Sequence, residues 1–106
     1  MKFKEIAVLV ALAILTGQIT DRTTGQPLSG VNVQVDNKHA VTDGSGRYAV
    51  KGVASGARWV TIGSKDVPSE RFRVTIKAPS TRFDMRACST TLDYSCSGPA
   101  GSMQNG

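Results

Sequence analysis

The sequence predicts an all-β protein, either a sandwich or a barrel, and three observations support that fold class. From Gly17 onward, apolar and polar residues alternate with a period of two rather than 3.6, as in strands that bury one face. Glycine, proline and aspartate recur at short intervals between these segments, where tight turns need them. The chain of 106 residues is long enough for one modest hydrophobic core and too short for two.

The first half of the chain is predicted to hold three strands joined by turns. Residues 17–21 form the first strand, and residues 22–27 form a turn that contains a proline. Residues 31–35 alternate cleanly, with three valines on one side and two polar side chains on the other. Residues 40–42 lead into a tight turn at residues 43–46, after which residues 48–51 resume an extended pattern.

Three further strands are predicted in the second half, over residues 58–62, 72–76 and 82–86. In the second of these, Phe72, Val74 and Ile76 share the inward face. In the third, Phe83 and Met85 point inward. The outward faces of these last two strands are rich in cations.

The first fifteen residues differ from the rest of the chain. Lys2 and Lys4 precede an uninterrupted apolar run over residues 6–15, which contains an Ala-Leu-Ala site ending at Ala13. A basic start, a short apolar run and an A-x-A site are typical of a secretory signal peptide, and the run is too short to span a bilayer as a helix. We therefore predict a signal peptide at residues 1–13 and a secreted or periplasmic protein. The alternative is that residues 6–15 form a buried strand or helix of a cytosolic domain.

Cys88 and Cys96 are the only cysteines. An even pair near the end of an exported chain indicates one disulfide, whereas a redox-active pair needs closer spacing, as in C-x-x-C. Two cysteines with the remote His39 make a poor zinc site, so neither a metal nor a cofactor is predicted. Residues 88–106 are predicted to form a disulfide loop and a mobile tail, because residues 97–106 have too little apolar surface to offset the entropy of ordering.

Four glycine-containing motifs follow one another in the first half of the chain. They read G-x-I-x-D from Gly17, G-x-P-L-x-G-V-x-V-x-V from Gly25, T-D-x-x-G-x-Y-x-V from Thr42 and G-V-x-x-G from Gly52. In this order and density they resemble the carboxypeptidase regulatory-like domain. The resemblance covers residues 17–62 with many matched positions and continues beyond them as a strand pattern alone.

This resemblance implies a transthyretin-like, or prealbumin-like, fold: a small seven-stranded Greek-key β-sandwich, here over residues 14–87. The matched positions would determine the fold, Gly25 with Pro27 at a first hairpin and Asp43 with Gly46 at a second. None of them is a catalytic group. The resemblance therefore implies an accessory, stabilising or binding module.

Two other functions are known on similar sandwiches. Hydroxyisourate hydrolases share the transthyretin-like fold, but their chemistry relies on several histidines, an arginine and a C-terminal motif rich in Tyr, Arg, Gly and Ser. This chain has one histidine and ends in Met-Gln-Asn-Gly, and His39 has no companion for acid–base work. A pilin-type isopeptide bond needs a lysine on the first strand, and residues 14–20 contain none. We predict no enzyme, with the hydrolase as the alternative.

The sequence departs from the family's pattern at Arg58 and Trp59. Arg58 occupies the position that usually holds an aromatic residue, and Trp59 follows it. Strict alternation would place Trp59 on the solvent face, where it would offer a platform for a sugar ring or an extended peptide. Alternatively, a bulge near Gly56 reverses the register and buries Trp59 in the core. We expect burial, since the core has few other aromatic residues.

The outward cations complete the candidate ligand-binding residues, which are Trp59, Arg71, Arg73, Lys77, Arg82 and Arg86. With a net charge of +5, such faces suit an anionic envelope polysaccharide, lipid headgroups or a partner protein. Nucleic acid is not expected, because interleaved aromatics are missing and export would remove the partner. The alternative is a solvated face whose charges discourage edge-to-edge aggregation. The sequence thus predicts a non-catalytic exported binding or structural module without a stable membrane span.

Overall fold

The computed structural model describes residues 11–91 of the chain. Within that range every regular element is a strand. The strands are β1 (Leu12–Asp21), β2 (Asn32–Val35), β3 (Lys38–Val41), β4 (Arg47–Ala54), β5 (Gly56–Ser64), β6 (Val67–Ile76), β7 (Ser80–Arg82) and β8 (Met85–Ala87).

Two four-stranded sheets face each other, which confirms the predicted all-β sandwich. In the first sheet β1 lies between β4, which is antiparallel to it, and the successive short strands β7 and β8, which are both parallel to it. The second sheet has the order β3-β2-β5-β6 and is antiparallel throughout. Because β7 and β8 continue one path along β1, the eight segments correspond to seven strands.

The core lies between the two sheets and consists of the alternating apolar residues. The fully buried side chains include Leu15 and Ile19 from β1, Val33 from β2, and Val60 and Ile62 from β5. Burial of one such side chain contributes about 1.5–3 kcal/mol. Phe72 and Phe83 pack against this core from its margin, with ring centroids 5.8 Å apart in an edge-to-face arrangement. The predicted inward faces of residues 31–35 and 72–76 are therefore confirmed.

The first strand begins earlier than predicted. It starts at Leu12 rather than Gly17, and Leu12 and Ala13 pair with Ala54 and Val53 of β4. Ala13 is only 3% exposed. The upstream residues join the sheet because β4 also extends past its predicted end to Ala54 and offers them backbone partners. The predicted cleavage site after Ala13 therefore falls two residues inside β1.

The last strand is not continuous over residues 82–86, as was predicted, but breaks at Phe83 and Asp84. Phe83 N–H still donates to the carbonyl of Thr16 at 2.8 Å, whereas the next β1 donor, Gln18 N–H, is bound by the Asp84 carboxylate at 2.9 Å. A side chain thus replaces a backbone acceptor at this point. The ladder with β1 resumes at Met85.

Gly17 makes this break possible. The carbonyl of Phe83 turns toward β1 and accepts a hydrogen bond from the Tyr48 hydroxyl, and Tyr48 is the β4 partner of Gly17. A Cβ atom at position 17 would lie 1.9 Å from the Phe83 carbonyl oxygen and 2.8 Å from the Tyr48 hydroxyl. Only glycine leaves room for this contact.

The turn with Gly25 closes the short hairpin that the resemblance implies, since Pro27 bridges Thr20 of β1 in an antiparallel sense and Leu28 N–H donates to the Ile19 carbonyl at 2.9 Å. The turn with Gly25 and Pro27 leads from β1 in the first sheet to β2 in the second, and the Asp43–Gly46 turn leads back from β3 to β4. A further tight hairpin is β2–β3, whose loop residue Asp36 has a φ of 54°.

Asp21 ends β1 as a buried carboxylate, 1% exposed. It accepts hydrogen bonds from the backbone N–H groups of Thr23 at 3.1 Å, Thr24 at 2.8 Å and Ser89 at 3.1 Å. Burial alone would raise the pKa of this carboxyl, but the backbone donors of Thr24, Ser89 and Thr23 outweigh it and lower the pKa below 3.8. The side chain thereby ties the first turn to the segment that follows β8.

We expect Gly17→Ala to destabilise the fold by about 2–3 kcal/mol, because the new methyl group must displace the Phe83 carbonyl and its hydrogen bond from Tyr48. Urea denaturation followed by circular dichroism measures this loss. Gly44→Ala is the matched control, since a Cβ at Gly44 meets no atom within 4 Å. Equal stability of the two variants would show that the Phe83 carbonyl does not need its place over β1.

Candidate functional site

Trp59 lies on the outward face of the second sheet and is 45% exposed. Its neighbours Val60 and Ile62 are buried, and β5 keeps its register with β6 without interruption from Gly56 to Ile62. The irregularity in this pair comes later, between Ile62 and Ser64. The expectation that a bulge would bury Trp59 was therefore wrong, and strict alternation decides its orientation.

Two guanidinium groups contact the indole ring of Trp59. In the β5–β6 pair, Arg73 lies directly opposite Trp59 and Arg71 lies opposite Thr61. The guanidinium carbon of Arg71 is 4.2 Å from the ring centroid, and that of Arg73 is 5.2 Å away. Both distances are within the range of cation–π attraction. We call Trp59, Arg71 and Arg73 the Trp–Arg face.

A shallow groove of about 560 Å³ lies beside Trp59. Its other lining residues come from the β2–β3 hairpin and from β5: Gln34, Asp36, Ala57, Arg58 and Thr61. Gln34 is the β2 partner of Thr61, so both side chains share the outward face with Trp59. The groove is therefore lined by uncharged hydrogen-bonding groups, one carboxylate and one guanidinium.

Arg58 is held at the end of this groove by backbone contacts. Its Nε donates to the carbonyl of Ala54 at 3.1 Å, and its Nη2 donates to the carbonyl of Ser55 at 2.9 Å. Its Nη1 lies 3.7 Å from the carboxylate of Asp36. The guanidinium thus fixes the β4–β5 corner and partly balances the charge of Asp36, whose side chain is half exposed.

The other predicted cations do not join the Trp–Arg face. Arg82 and Arg86 lie on the first sheet, where they pair with Thr16 and Thr20 of β1. Arg82 is bound by Asp84 at 3.1 Å. Outward side chains of the two sheets point to opposite sides of a sandwich. The predicted set therefore divides between two surfaces, because residues 71–77 and 82–86 belong to different sheets.

Lys77 is also separate from the Trp–Arg face. It follows the last residue of β6, and its backbone N–H and carbonyl both bond to the hydroxyl of Thr81. Four residues of extended chain separate it from Arg73, about 13 Å at the rise of a strand. It could reach only a ligand that extends along β6.

The remaining chemical side chains do not form a second centre in the described range. Within residues 11–91 no three His, Cys, Asp or Glu side chains are grouped as metal ligands, and His39 is exposed on β3. Cys88 is buried, 5% exposed. Its predicted partner Cys96 lies outside the described residues, as does most of the predicted tail, so the disulfide stays a prediction.

Sequence reasoning missed Gln34, Asp36 and Thr61 as members of the site. The alternation of residues 31–35 already placed Gln34 outward, but nothing in the sequence says that β2 pairs with β5. Asp36 follows directly after that segment, where nothing in the sequence marks it as a ligand-binding residue. The proximity of these side chains to Trp59 follows from the strand order of the sheet.

The sequence of the chain identifies the family to which the protein belongs. The sequence pattern of the carboxypeptidase regulatory-like domain matches residues 14–87. The chain belongs to this family, and the resemblance noted from its glycine-containing motifs is confirmed. No curated protein matches the sequence significantly.

Solved structures show the same fold at low identity. Two are type II cohesin–X-dockerin complexes from Acetivibrio cellulolyticus, an N-terminal and a C-terminal interface mutant. The matched chain of the C-terminal mutant is 23% identical with a TM-score of 0.59, and that of the N-terminal mutant is 24% identical with a TM-score of 0.57. Each match covers 69% of this chain and 52% of the other.

A third similar structure is described as a membrane-associated protein of unknown function from Bacteroides fragilis NCTC 9343. It is 17% identical with a TM-score of 0.53, and the match covers 76% of this chain and 28% of that one. The chain thus spans about half the length of the first two proteins and less of the third. In the part of the chain that the structure describes, no helix has the length and apolar character needed to cross a bilayer.

The exposure of Trp59 can be measured directly, because it is the only tryptophan of the chain. We expect acrylamide to quench the fluorescence of the native protein nearly as strongly as that of the urea-denatured protein. Arg71→Ala should increase quenching further, since the Arg71 guanidinium covers part of the ring. Strong protection in the native state would mean that the ring is covered.

Proposed function

We propose that this protein is a non-catalytic binding module, exported from the cytoplasm, which contacts an anionic polysaccharide of the cell envelope through the Trp–Arg face. The observation that carries the proposal is the pair of guanidiniums at 4.2 and 5.2 Å from a tryptophan ring that remains 45% exposed. A ligand that covers the exposed part of the ring would remove apolar surface from water, and the same ligand could bind the two cations beside it.

The chemistry of the Trp–Arg face matches that of an acidic sugar. A pyranose ring has an apolar face of C–H groups that can lie on an indole ring. Arginine binds carboxylate and sulfate groups with two parallel hydrogen bonds, which a point charge such as lysine cannot do. A uronate or a sulfated sugar could bind the guanidinium groups through its anion and contact the part of the ring that they leave exposed.

The rigidity of the site supports binding. Trp59, Arg71 and Arg73 all project from paired strands rather than from loops, and side chains on strands are positioned more accurately than those on loops. The cation–π contacts also hold the guanidiniums in place before a ligand arrives, which reduces the entropy lost on binding.

An accessory role is also supported by the family and by the site. The carboxypeptidase regulatory-like domain is named for a regulatory rather than a catalytic part, and the Trp–Arg face contains no nucleophile or general base. A protein partner is the second candidate, favoured by the similarity to chains of cohesin–X-dockerin complexes. A sandwich alone does not decide between these ligands.

Arg71→Ser combined with Arg73→Ser should abolish salt-sensitive retention on a column that carries an anionic polysaccharide. Binding that depends on charge weakens as salt is added, because exposed charges are screened over about 8–10 Å at physiological ionic strength. The elution salt concentration of the wild type and the variant measures the effect.

The matched control is Arg82→Ser combined with Arg86→Ser, which removes the same charge from the opposite sheet. It should keep most of the retention. Equal losses in both double variants would mean that net charge alone, and not the Trp–Arg face, causes retention. Wild-type elution at the salt concentration of the Arg71/Arg73 variant would refute the proposal.

Export and the disulfide between Cys88 and Cys96 belong to the same proposal. The intact mass of the protein from its native host, with and without reductant and thiol alkylation, should show loss of residues 1–13 and one bonded cysteine pair. A full-length chain with two free thiols would contradict both, and an envelope ligand would then be excluded.

A further inference from the structure

The two sides of Trp59 differ in charge. On the β6 side lie Arg71 and Arg73. On the β2 side lies the groove, where the Asp36 carboxylate and the Arg58 guanidinium, 3.7 Å apart, offset each other beside the Gln34 amide and the Thr61 hydroxyl. A ligand that crosses Trp59 from one side to the other therefore meets two cations first and next a groove whose two charged side chains offset each other.

We propose that the polysaccharide bound at the Trp–Arg face alternates acidic and neutral sugars, with the acidic unit at Arg71 and Arg73 and the neighbouring neutral unit in the groove. This inference rests on the proposed function and specifies its ligand. Amide, hydroxyl and carboxylate groups can accept or donate hydrogen bonds to sugar hydroxyls. They offer a second carboxylate no net positive charge, because Asp36 and Arg58 offset each other.

Asp36 is the residue that discriminates between polymers. Its side chain is half exposed, and Arg58 lies 3.7 Å away. That guanidinium also donates to the carbonyls of Ala54 and Ser55, so it is only partly available to a ligand. A uronate in the groove would lie beside the Asp36 carboxylate and be repelled by it, whereas a hydroxyl of a neutral sugar could donate to it.

Gln34 is oriented for this role by the hairpin. Its Nε2 donates to the backbone carbonyl of Asp36 at 3.1 Å, which holds the amide beside the groove. The Oε1 atom and the second N–H lie on an exposed side chain, where sugar hydroxyls can reach them. Thr61, its cross-strand partner, adds a hydroxyl on the same face.

The test compares the binding of three soluble polymers at one ionic strength. Binding is measured by the fluorescence of Trp59 and by calorimetry. Hyaluronan alternates glucuronate with N-acetylglucosamine, polygalacturonate is acidic at every unit, and dextran is neutral. We expect wild-type affinity per binding site to be highest for hyaluronan and not detectable for dextran.

Variants in the groove decide the inference. Asp36→Asn should strengthen polygalacturonate binding about threefold by removing the repulsion, and Asn is compatible with the φ of 54° at this position. Gln34→Ala should weaken hyaluronan binding about fivefold, through lost hydrogen bonds, and weaken polygalacturonate binding less. Asp66→Asn is the control for charge, since Asp66 does not line the groove.

The outcomes separate this inference from the proposed function. Tighter binding of polygalacturonate than of hyaluronan would refute the proposal of an alternating polymer. Equal effects of Asp36→Asn and Asp66→Asn on polygalacturonate binding would refute it too. In both cases the proposal that the protein binds an anionic polysaccharide would remain. If none of the three polymers binds, and the wild type is not retained on an anionic column either, both proposals fail. Thermal denaturation of each variant confirms that the fold is intact.

Discussion

The close approach of the Phe83 carbonyl to Gly17 is the contact on which the first sheet depends. The carbonyl lies where a side chain at position 17 would lie, and the Tyr48 hydroxyl binds it there. Burial raises the pKa of that hydroxyl, with the nearby Asp84 carboxylate adding to the effect. The phenol therefore stays protonated and donates its hydrogen bond. Three strands are joined at this point: β1, β4 and the break between β7 and β8.

This junction has a consequence for the opposite surface. Because the chain can bend at Phe83, β7 and β8 both remain parallel to β1 and cover the full length of the core. Phe83 itself then packs against Phe72 of β6 at the margin of that core. The inward face of β6 thus packs against Phe83 of the first sheet. Its outward face presents Arg71 and Arg73 beside Trp59. The sheet that carries the Trp–Arg face is therefore packed against the core on its inner side.

Much of the fold was predictable, and the failures have specific physical causes. Alternation identified the inward residues of β2 and β6, and glycine-containing motifs identified the family. The break at Phe83 was missed because the side chain of Asp84 replaces a backbone acceptor, a substitution that leaves no mark on hydrophobic periodicity. The start of β1 was missed because its first residues are apolar on both faces, so a strand and a signal peptide have the same pattern there. Trp59 was expected in the core on grounds of size, yet unbroken pairing with β6 keeps it outside.

The sequence by itself determined the class of fold, the family and the inward face of most strands, and it singled out Trp59 and the outward arginines as candidates. These features depend on the alternation of apolar and polar residues and on residue type, both of which can be read from the sequence alone. Only the tertiary structure decided which of these candidate side chains lie next to one another. It placed Arg71 and Arg73 on Trp59, moved Arg82 and Arg86 to the other side of the sandwich, and brought Gln34 and Asp36 beside the ring. Strand order makes these choices, because residues distant in sequence become neighbours only through long-range pairing, which has no local signal.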